Sequence, residues 1–471
     1  MAAGIVGVSP RIHRDVEPSV AGGCAQPRGR LLLVAYAFPP VGGAGVQRPA
    51  RWVKYLKRLG WELTVLTPSN PSVPARDDSL CLDLPTDLTR WEAATWEPSY
   101  SWKQRVATSS ATAAPQTTLW RRTLKQLSQG LFQPDPQILW YPSAMHRAVR
   151  GWKQRPHDLV LVTAPPFSSL LIGVALKRRW GIPVICDFRD EWDISQQYLE
   201  HAGKGWWSRW CQHHLQRYVL RHADALVATT QASTQHLQQK LSELNRQIPV
   251  RCVYNGYDAE DFQTPVDDSL VPPCPSPRLR LVYTGTLWNL TQVQPLVQAF
   301  ERMRDQPDAL ARWELVFVGR KTPEQQAYLH QLRAWGVSLH DLPYCPHREV
   351  LAWQRSADVR CVLLSALPAA ERVVPAKLFE YLACGRAVFG IMPEGEAKQI
   401  LERCLPGSTF LPCEVSRLAH WLATVSKDEL AQQTPTTQAW HYSREQQTEL
   451  LDELLCQLLA SRRLEHVPCG H

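Results

Sequence analysis

Several features that would place a chain across a membrane or in the secretory pathway are missing from this sequence. It has no charge-free apolar run of about 18 residues, which is the length that a bilayer-crossing helix needs. Its first thirty residues carry Arg11, Arg14, Asp15 and Glu17 and lack the apolar stretch of a secretory signal. We therefore expect a cytoplasmic protein in which residues 1–29 form a disordered tail.

Ordered cysteine patterns are missing as well. The thirteen cysteines are scattered, odd in number and free of any CxxC pair, so neither a disulfide framework nor a zinc site is predicted. His213 and His214 are adjacent, which is a poor arrangement for shared metal ligation on a helix. We expect reduced thiols in an apolar core and no metal site.

The length and the charge indicate two unlike halves. A chain of 471 residues exceeds the roughly 250–300 residues at which single cores stop growing, so two domains are expected. Residues 1–265 hold 31 Lys and Arg against 21 Asp and Glu, whereas residues 266–471 hold 21 against 23. The basic first half suggests contact with anionic material such as a membrane surface, a lipid phosphate or nucleic acid.

The first half alternates strand and helix patterns. The apolar run LLLVAYA at 31–37 has the length of a buried parallel strand, and helical spacing follows from Val46 until Gly60. A second strand, ELTVLT, completes a βαβ unit. Further strand-like runs occur at 158–164, 183–188 and 225–230. The pattern predicts an α/β fold with a doubly wound, Rossmann-like parallel sheet over residues 30–265.

A proline-rich spacer separates this domain from a second series of strands. These runs lie at 279–285, 313–319, 359–364 and 387–391. They predict a second Rossmann-like domain over residues 278–440, followed by a C-terminal helix and tail at 441–471. The segment from about 69 to 133 lacks this rhythm and is expected to be an irregular insertion with a mobile part.

The loop from Pro39 to Gly45 has the composition of a phosphate-binding turn. Gly42, Gly43 and Gly45 permit close backbone approach, and the following helix offers free N–H groups. A dinucleotide fingerprint would require a third glycine where Arg48 stands, which weakens an NAD site. An ordinary strand-to-helix turn explains the same residues.

The segment PAKLFEYLACG is predicted to be a helix that opens at Pro375 and closes near Gly385. Lys377 and Glu380 lie three residues apart on one face. A cation in the first turn opposes the helix dipole by roughly 0.3–1 kcal/mol unless an anion lies beside it. A diphosphate would relieve that conflict, and Glu380 would then accept hydrogen bonds from ribose. The alternative is a surface ion pair on an ordinary helix.

Charged residues follow the strand at 183–188. Because this strand's carboxyl end lies at the ligand-binding edge of an open sheet, Asp187, Arg189 and Asp190 are candidates for contacting a sugar acceptor or accepting a proton. A local ion-pair network that holds the loop is the alternative.

The segment 205–222 mixes aromatic and basic residues at helical spacing. Trp206, Trp210, His213 and Arg217 form one stripe, which fits a helix that lies in the interface of an anionic membrane. The alternative is an amphipathic helix packed on its own sheet.

Taken together, these segments resemble the family-four glycosyltransferases, the retaining GT-B group, from about residue 31 to 460. FPPVGGAGVQR with LKRLGWELTVLT is similar to the N-terminal glycine loop and second strand. PDPQILWYPSA at 134–144 and VICDFRDEW resemble signatures of a subgroup that often builds surface polysaccharides. NGYDAEDF at 255–262 resembles the interdomain element, and PAKLFEYLACGRAV resembles the donor-site helix.

The resemblance implies two Rossmann-like domains that face a cleft, with the acceptor on the first and the nucleotide on the second. It implies metal-independent transfer with retained configuration, with the nucleotide sugar as substrate and no cofactor. By position, Glu380 would bind ribose, and the backbone at Val374, Pro375 and Ala376 would cradle the diphosphate. The loop from Gly42 to Gly45 would close on the donor phosphate.

The resemblance also implies the remaining contacts. Asp190 and Arg189 fall near an acceptor-side histidine of many relatives, with Asp187 and Arg48 beside them on the acceptor side. The segments 317–320 and 343–347 would border the nucleobase.

Two departures from the family pattern concern charge. Many relatives place a glutamate eight residues before Glu380, where this chain has Arg372. Glu371 lies one step away and is a catalytic candidate together with Asp190 and Arg189. Relatives also place Arg and Lys where this chain has Thr286 and Thr291. We expect Lys377, Arg372 and the helix N-terminus to supply the missing positive charge.

The sequence therefore predicts a transferase with a nucleotide-sugar donor and a carbohydrate or lipid-linked acceptor. It is expected to be cytoplasmic, with peripheral membrane contact through 205–222 and no nucleic-acid partner. A sugar-nucleotide epimerase on the same fold and a non-catalytic nucleotide-sugar-binding relative remain the alternatives.

Overall fold

The computed structural model describes residues 28–73, 76–97, 132–198, 205–263 and 268–465. The tail expected at 1–29 lies almost wholly outside these residues, as does most of the segment expected to be mobile. Residues 69–133 are not irregular throughout, because Thr89–Ala93 forms an edge strand of the first sheet. That part of the expectation was wrong.

The first domain is a seven-stranded sheet in the order β3-β2-β1-β4-β5-β6-β7, with parallel pairing between neighbours. Its strands are β1 (Arg30–Val34), β2 (Glu62–Pro68), β3 (Thr89–Ala93), β4 (Leu159–Ala164), β5 (Val184–Phe188), β6 (Ala225–Ala228) and β7 (Val250–Cys252). The strands β1, β4 and β5 are mostly apolar because helices cover both faces of the sheet.

The helices of this domain are α1 (Ala44–Arg58), α2 (Tyr141–Gln154), α3 (Ser168–Trp180), α4 (Trp192–Tyr198), α5 (Trp206–His222), α6 (Gln231–Ser242) and α7 (Ala259–Gln263). Short 3₁₀ helices lie at Asp78–Cys81 and Pro136–Trp140.

The second domain is a six-stranded sheet in the order β10-β9-β8-β11-β12-β13, again with parallel neighbours. Its strands are β8 (Leu279–Thr284), β9 (Trp313–Val318), β10 (Ser338–Leu342), β11 (Val359–Leu363), β12 (Val388–Ile391) and β13 (Thr409–Phe410). The fold is therefore α/β with two Rossmann-like domains, as the sequence predicts.

The helices of the second half are α8 (Gln294–Glu301), α9 (Pro307–Ala311), α10 (Pro323–Ala334), α11 (His347–Ser356), α12 (Lys377–Ala383), α13 (Glu396–Cys404), α14 (Val415–Thr424), α15 (Lys427–Gln432) and α16 (Arg444–Glu465). Short 3₁₀ helices lie at Asp268–Leu270, Ala370–Arg372 and Thr437–Tyr442.

The last helix returns to the first domain. Leu451, Leu454 and Leu455 of α16 are buried in the cluster that also contains Leu31 of β1. The chain crosses between the domains twice, and the crossings are hydrogen-bonded: Tyr257 N–H donates to the carbonyl oxygen of residue 442 at 3.1 Å. This pairing places the two domains side by side.

Candidate active site

The carboxyl ends of the two sheets face each other across a cleft, and charged groups join its walls. Arg372, which lies after β11, forms a bidentate ion pair with Glu191, which lies after β5, with N–O distances of 2.9–3.1 Å. The Glu191 side chain is 4% exposed, and the Arg372 side chain 21%. Ser233 also donates to Glu191 at 2.5 Å.

A carboxylate of the second domain caps a helix of the first. The oxygens of Glu396 accept from the backbone N–H groups of Gln231 and Ala232, both at 2.8 Å, at the start of α6. Thr230, the residue before α6, donates its hydroxyl to the carbonyl of Arg372 at 3.0 Å. A negative charge at a helix N-terminus is stabilising, so this contact holds the domains together.

His347 forms a third contact between the domains. Its Nε2 lies 3.2 Å from Asp261 Oδ2, its Nδ1 lies 3.0 Å from Gln47 Nε2, and its backbone N–H donates to Asp77 at 3.1 Å. Burial alone would lower the pKa of His347, but the carboxylates of Asp261 and Glu380 outweigh it and raise the pKa. The sequence assigned 343–347 to the nucleobase border, and His347 itself instead contacts the first domain.

Lys377 lies against the loop that follows β8. Its ammonium nitrogen is 3.8 Å from the centre of the Tyr283 ring and donates to the Tyr283 hydroxyl at 2.5 Å. Gly285 has φ of 118°, and a Cβ placed there would lie 2.7 Å from Lys377 Nζ. Burial lowers the pKa of Lys377 to about 7. The loop that begins at Gly285 and the amine of Lys377 therefore meet at one point of the cleft.

Glu380 lies one turn further along α12. Gln354 of α11 donates to Glu380 Oε2 and to the hydroxyl of Thr284, both at 3.1 Å. The Tyr381 hydroxyl accepts a hydrogen bond from the backbone N–H of Thr284 at 2.7 Å, which fixes α12 to the end of β8. The arrangement holds the Glu380 carboxylate beside the Lys377 amine.

The helix α12, which the sequence assigns to the donor site, is shorter than predicted. It covers Lys377–Ala383 rather than starting at Pro375, because residues 375–379 begin with a turn in which Leu378 N–H donates to Pro375 at 3.0 Å. Gly385 follows the helix with φ of 67°, as its predicted role at the C-terminus requires. Val374 and Ala376 flank Pro375 in the approach to the helix, and the assignment of this backbone to a diphosphate stays a prediction.

The glycine loop of the first domain is hydrogen-bonded to Arg189. Gly43 precedes α1 with φ of 114°, and Gly42 lies beside it. A Cβ at Gly45 would lie 2.9 Å from the Arg189 guanidinium carbon, and Arg189 donates to the Gly45 carbonyl at 2.5 Å. Arg189 therefore positions this loop, which favours a supporting role over direct catalysis.

Two carboxylates of the cleft keep exposed side chains. Asp190 is 56% exposed, with Arg189 Nε 3.8 Å from its Oδ2, and Glu371 is 54% exposed beside Arg372. Both groups are available to a ligand, and their catalytic assignment stays a prediction.

The acceptor-side assignment of Arg48 and Asp187 was wrong. Their side chains are 3% and 0% exposed and form a buried pair, with Nη2–Oδ1 at 2.8 Å. Arg48 also donates to the Val253 carbonyl at 2.8 Å, and Thr163 donates to Asp187 at 2.7 Å. Their hydrogen-bonding groups are satisfied beneath the cleft, so this pair has a structural role.

The sequence also expects Arg372 to supply charge to the diphosphate, and that assignment stays a prediction. Its guanidinium is directed at Glu191 in the opposite domain. Neutralising Glu191 and binding a diphosphate are competing uses of one cation, and the ion pair occupies it here.

One group of possible metal ligands exists among the described residues. Ligand atoms of Glu191, Asp193 and His236 lie within 4.8 Å of one another. Arg372 already pairs with Glu191, and Lys240 pairs with Asp193 at 2.8 Å. Burial alone would raise the pKa of Asp193, but His236 and Lys240 lower it to about 2. These cations fill the place that a metal would take.

Sequence reasoning missed the residues that join the domains. Glu191, Glu396 and His347 each contact a partner at least 86 positions away in the chain. Helical and strand periodicity describes near neighbours only, so no signal in a single sequence points to these pairs.

Two facing Rossmann-like domains whose strands end at a shared cleft define the GT-B architecture. Residues 42–256 match the glycosyl transferase 4-like domain, and residues 278–421 match the glycosyl transferases group 1 domain. The chain therefore belongs to the glycosyltransferases that combine these two domains. No curated protein sequence matches it.

Solved structures share this fold. The protein HepE of Anabaena, in complex with UDP and glucose, is 14% identical with a TM-score of 0.57, covering 91% of this chain and 100% of that one. A UDP-forming α,α-trehalose-phosphate synthase from Burkholderia vietnamiensis is 16% identical with a TM-score of 0.58, covering 92% and 99%. A putative UDP-N-acetylglucosamine 2-epimerase from Listeria monocytogenes is 13% identical with a TM-score of 0.52, covering 92% and 97%.

None of the helices in the described ranges is both long enough and apolar enough to cross a bilayer.

Proposed function

We propose that this protein moves a sugar, such as a hexose, from a nucleotide-sugar donor to a carbohydrate or lipid-linked acceptor with retention of configuration. The observation that carries the proposal is the meeting of Lys377, Tyr283 and Gly285 at the cleft edge of the second domain. A buried amine beside a glycine loop is suited to the diphosphate of a donor.

The donor site extends from this point along α12. Glu380 lies on the same helix as Lys377 and is held by Gln354, which leaves its second oxygen for ribose hydroxyls. The backbone from Val374 to Ala376 and the loop from Gly42 to Gly45 complete the cradle. HepE was solved with UDP and glucose, which supports a nucleotide-sugar donor for this chain.

The reaction breaks the bond between the anomeric carbon and the phosphate oxygen and forms a bond to an acceptor hydroxyl. Negative charge develops on the departing phosphate, and a cation placed there stabilises the transition state. Lys377 supplies this charge in place of the missing Arg and Lys of relatives, without a metal. The acceptor proton passes to the departing phosphate.

The acceptor binds on the first domain, where the exposed carboxylate of Asp190 accepts hydrogen bonds from its hydroxyl groups. Glu371 lies on the opposite wall, close to the ion pair that joins the domains. Retention of configuration rests on the resemblance of the glycine loop and the 375–385 segment to the retaining group. A role in surface-polysaccharide synthesis rests on the same resemblance.

The experiment is a thermal-shift screen against a panel of nucleotide sugars, followed by mass balance with the labelled donor that raises the melting temperature. A ligand that binds only the native state raises apparent stability. We expect slow release of nucleotide and sugar without an acceptor, and a new glycoside when an acceptor is supplied.

The alternatives give different products in the same assay. An epimerase converts the labelled donor to its epimer without an acceptor, and a binding relative shifts the melting temperature without consuming the donor. Either result would overturn the proposal.

A further inference from the structure

The first half of helix α5 (Trp206–His222) exposes its large apolar side chains and buries its polar ones, which is the reverse of an ordinary surface helix. Its exposed residues include Trp206, Trp207 and Trp210, which are 72%, 47% and 48% exposed. The residues that it buries against the domain are Ser208, Gln212 and Gln216, besides Val219 and Leu220 near its end. A surface helix typically places its apolar stripe inward, so the outward tryptophans are the unusual feature.

The buried polar residues fix this orientation. Gln212 accepts from the indole N–H of Trp192 at 2.6 Å and donates to Gln133 at 2.7 Å. Gln216 accepts from Lys240 at 3.0 Å. Rotating the helix to bury the tryptophans would leave these amides without partners, at a cost of about 1–3 kcal/mol for each buried group.

The tryptophans form a continuous aromatic surface. The rings of Trp207 and Trp210 are stacked with centroids 5.1 Å apart, and Trp206 meets Trp207 edge to face at 6.0 Å. His214 lies over Trp210 at 4.1 Å. We call this group, Trp206, Trp207 and Trp210, the aromatic face.

The charged residues of α5 are all basic. The helix has no acidic residue among its 17 positions and carries Arg209, Arg217 and Arg221. Arg178, at the end of the neighbouring helix α3, continues the basic surface through a 3.0 Å hydrogen bond to the hydroxyl of Tyr218. Tryptophan flanked by arginine suits the headgroup region of an anionic bilayer, where the ring enters the boundary and the cation meets lipid phosphate.

The aromatic face lies at the cleft end of the first domain. The chain passes from α5 into β6, and parallel strands begin at the edge opposite the cleft, so the first turn of α5 lies at the cleft edge. The hydrogen bond from Trp192 to Gln212 places it beside the loop that carries Asp190.

We propose that the aromatic face of α5 docks this protein on the surface of an anionic lipid bilayer, with the acceptor side of the cleft next to the membrane. The inference goes beyond glycosyl transfer, because the docking surface does not depend on which reaction the cleft performs. If glycosyl transfer is confirmed, the bilayer on which the protein docks is the source of its lipid-linked acceptor.

The test is co-flotation of the full chain with vesicles of phosphatidylcholine, with and without phosphatidylglycerol. We expect the protein to float with anionic vesicles at low salt, and to be released at about 1 M salt, where the Debye length falls to about 3 Å. The double variant Trp206→Ser, Trp210→Ser should lower the bound fraction about 10-fold. The affinity for the interface depends on the apolar area buried in the bilayer as well as on charge.

The matched control is Trp440→Ser, since Trp440 is 46% exposed on the 3₁₀ helix Thr437–Tyr442 near the second domain. It should float as the unchanged protein does. Unchanged flotation of the double variant, or no flotation at low salt, would overturn the proposal. Sedimentation that shows a dimer only with the tryptophans intact would assign the face to a second copy instead, and would also overturn it.

Discussion

Lys377 is an amine whose charge depends on what lies beside it. It lies half-buried against Tyr283 and Gly285, and burial lowers its pKa to about 7, so the amine loses its proton at a lower pH than a free lysine does. A bound diphosphate would favour the charged form. If the donor binds at Lys377 as proposed, its binding is coupled to proton uptake.

The first prediction concerns this coupling. Above pH 7 the neutral amine must take up a proton to pair with a diphosphate, which costs up to about 1.4 kcal/mol per pH unit. The affinity for the nucleoside diphosphate that binds best should fall up to about tenfold per unit between about pH 7.5 and about pH 9. Titration calorimetry in two buffers of different ionisation enthalpy measures both the affinity and the proton uptake.

The Lys377→Met variant should bind more weakly at pH 7 and lose this pH dependence. Thr286→Ala is the matched control, because the sequence places Thr286 where relatives carry a cation. If Lys377→Met kept full turnover while Thr286→Ala did not, the assignment of charge to Lys377 would be wrong.

At the scale of single elements, the loop after β8 depends on glycine for two separable reasons. Gly285 has φ of 118°, and a Cβ would also displace the Lys377 amine. Gly336, after α10, has φ of 83° with nothing within 4 Å of a Cβ. Alanine at either position should cost about 1–3 kcal/mol of stability through the backbone.

Gly285→Ala should also weaken nucleotide binding about tenfold or more, whereas Gly336→Ala should not. Urea unfolding and nucleotide titration of both variants separate the two effects. Equal binding by the two variants would show that the loop after β8 does not lie against the donor.

The sequence predicted the central strands of both sheets and missed β3, β7, β10 and β13. Central strands such as β1 and β9 are mostly apolar, since both faces are covered, and this pattern is visible without a structure. The strand β10 lies at an edge and is half-buried along its length, and β13 has two residues, so neither has a strong period.

The residues of the candidate site could likewise be predicted only where the signal is local in the sequence. Lys377 was assigned from a local conflict between a cation and a helix start, and the structure brings it to a glycine loop. Arg48 and Asp187 were misassigned because a sequence does not show that two charges 139 positions apart neutralise each other. Local chemistry is visible in the sequence, and pairing across the fold is not.

At the scale of the whole molecule, polar contacts join the two walls of the cleft. The ion pair of Arg372 with Glu191 and the contact of Glu396 with the start of α6 both link residues of opposite domains. These contacts favour a closed cleft, and water can replace them when the walls separate. A ligand can therefore shift the equilibrium between the closed and open forms. The ion pair also occupies Arg372, which an open cleft would release.

The last prediction tests whether this ion pair closes the cleft. Glu191→Lys removes charge-assisted hydrogen bonds worth about 1.5–3 kcal/mol and places two cations together, so the open form should gain about 10-fold or more in population. Small-angle X-ray scattering should show a larger radius of gyration, and adding Arg372→Glu should reverse the increase. Glu394→Lys makes the same charge change at a pair with Lys398 inside the second domain and should leave the radius unchanged. If Glu191→Lys and Glu394→Lys scattered alike, the cleft would be held by other contacts, with Glu396 the next to test.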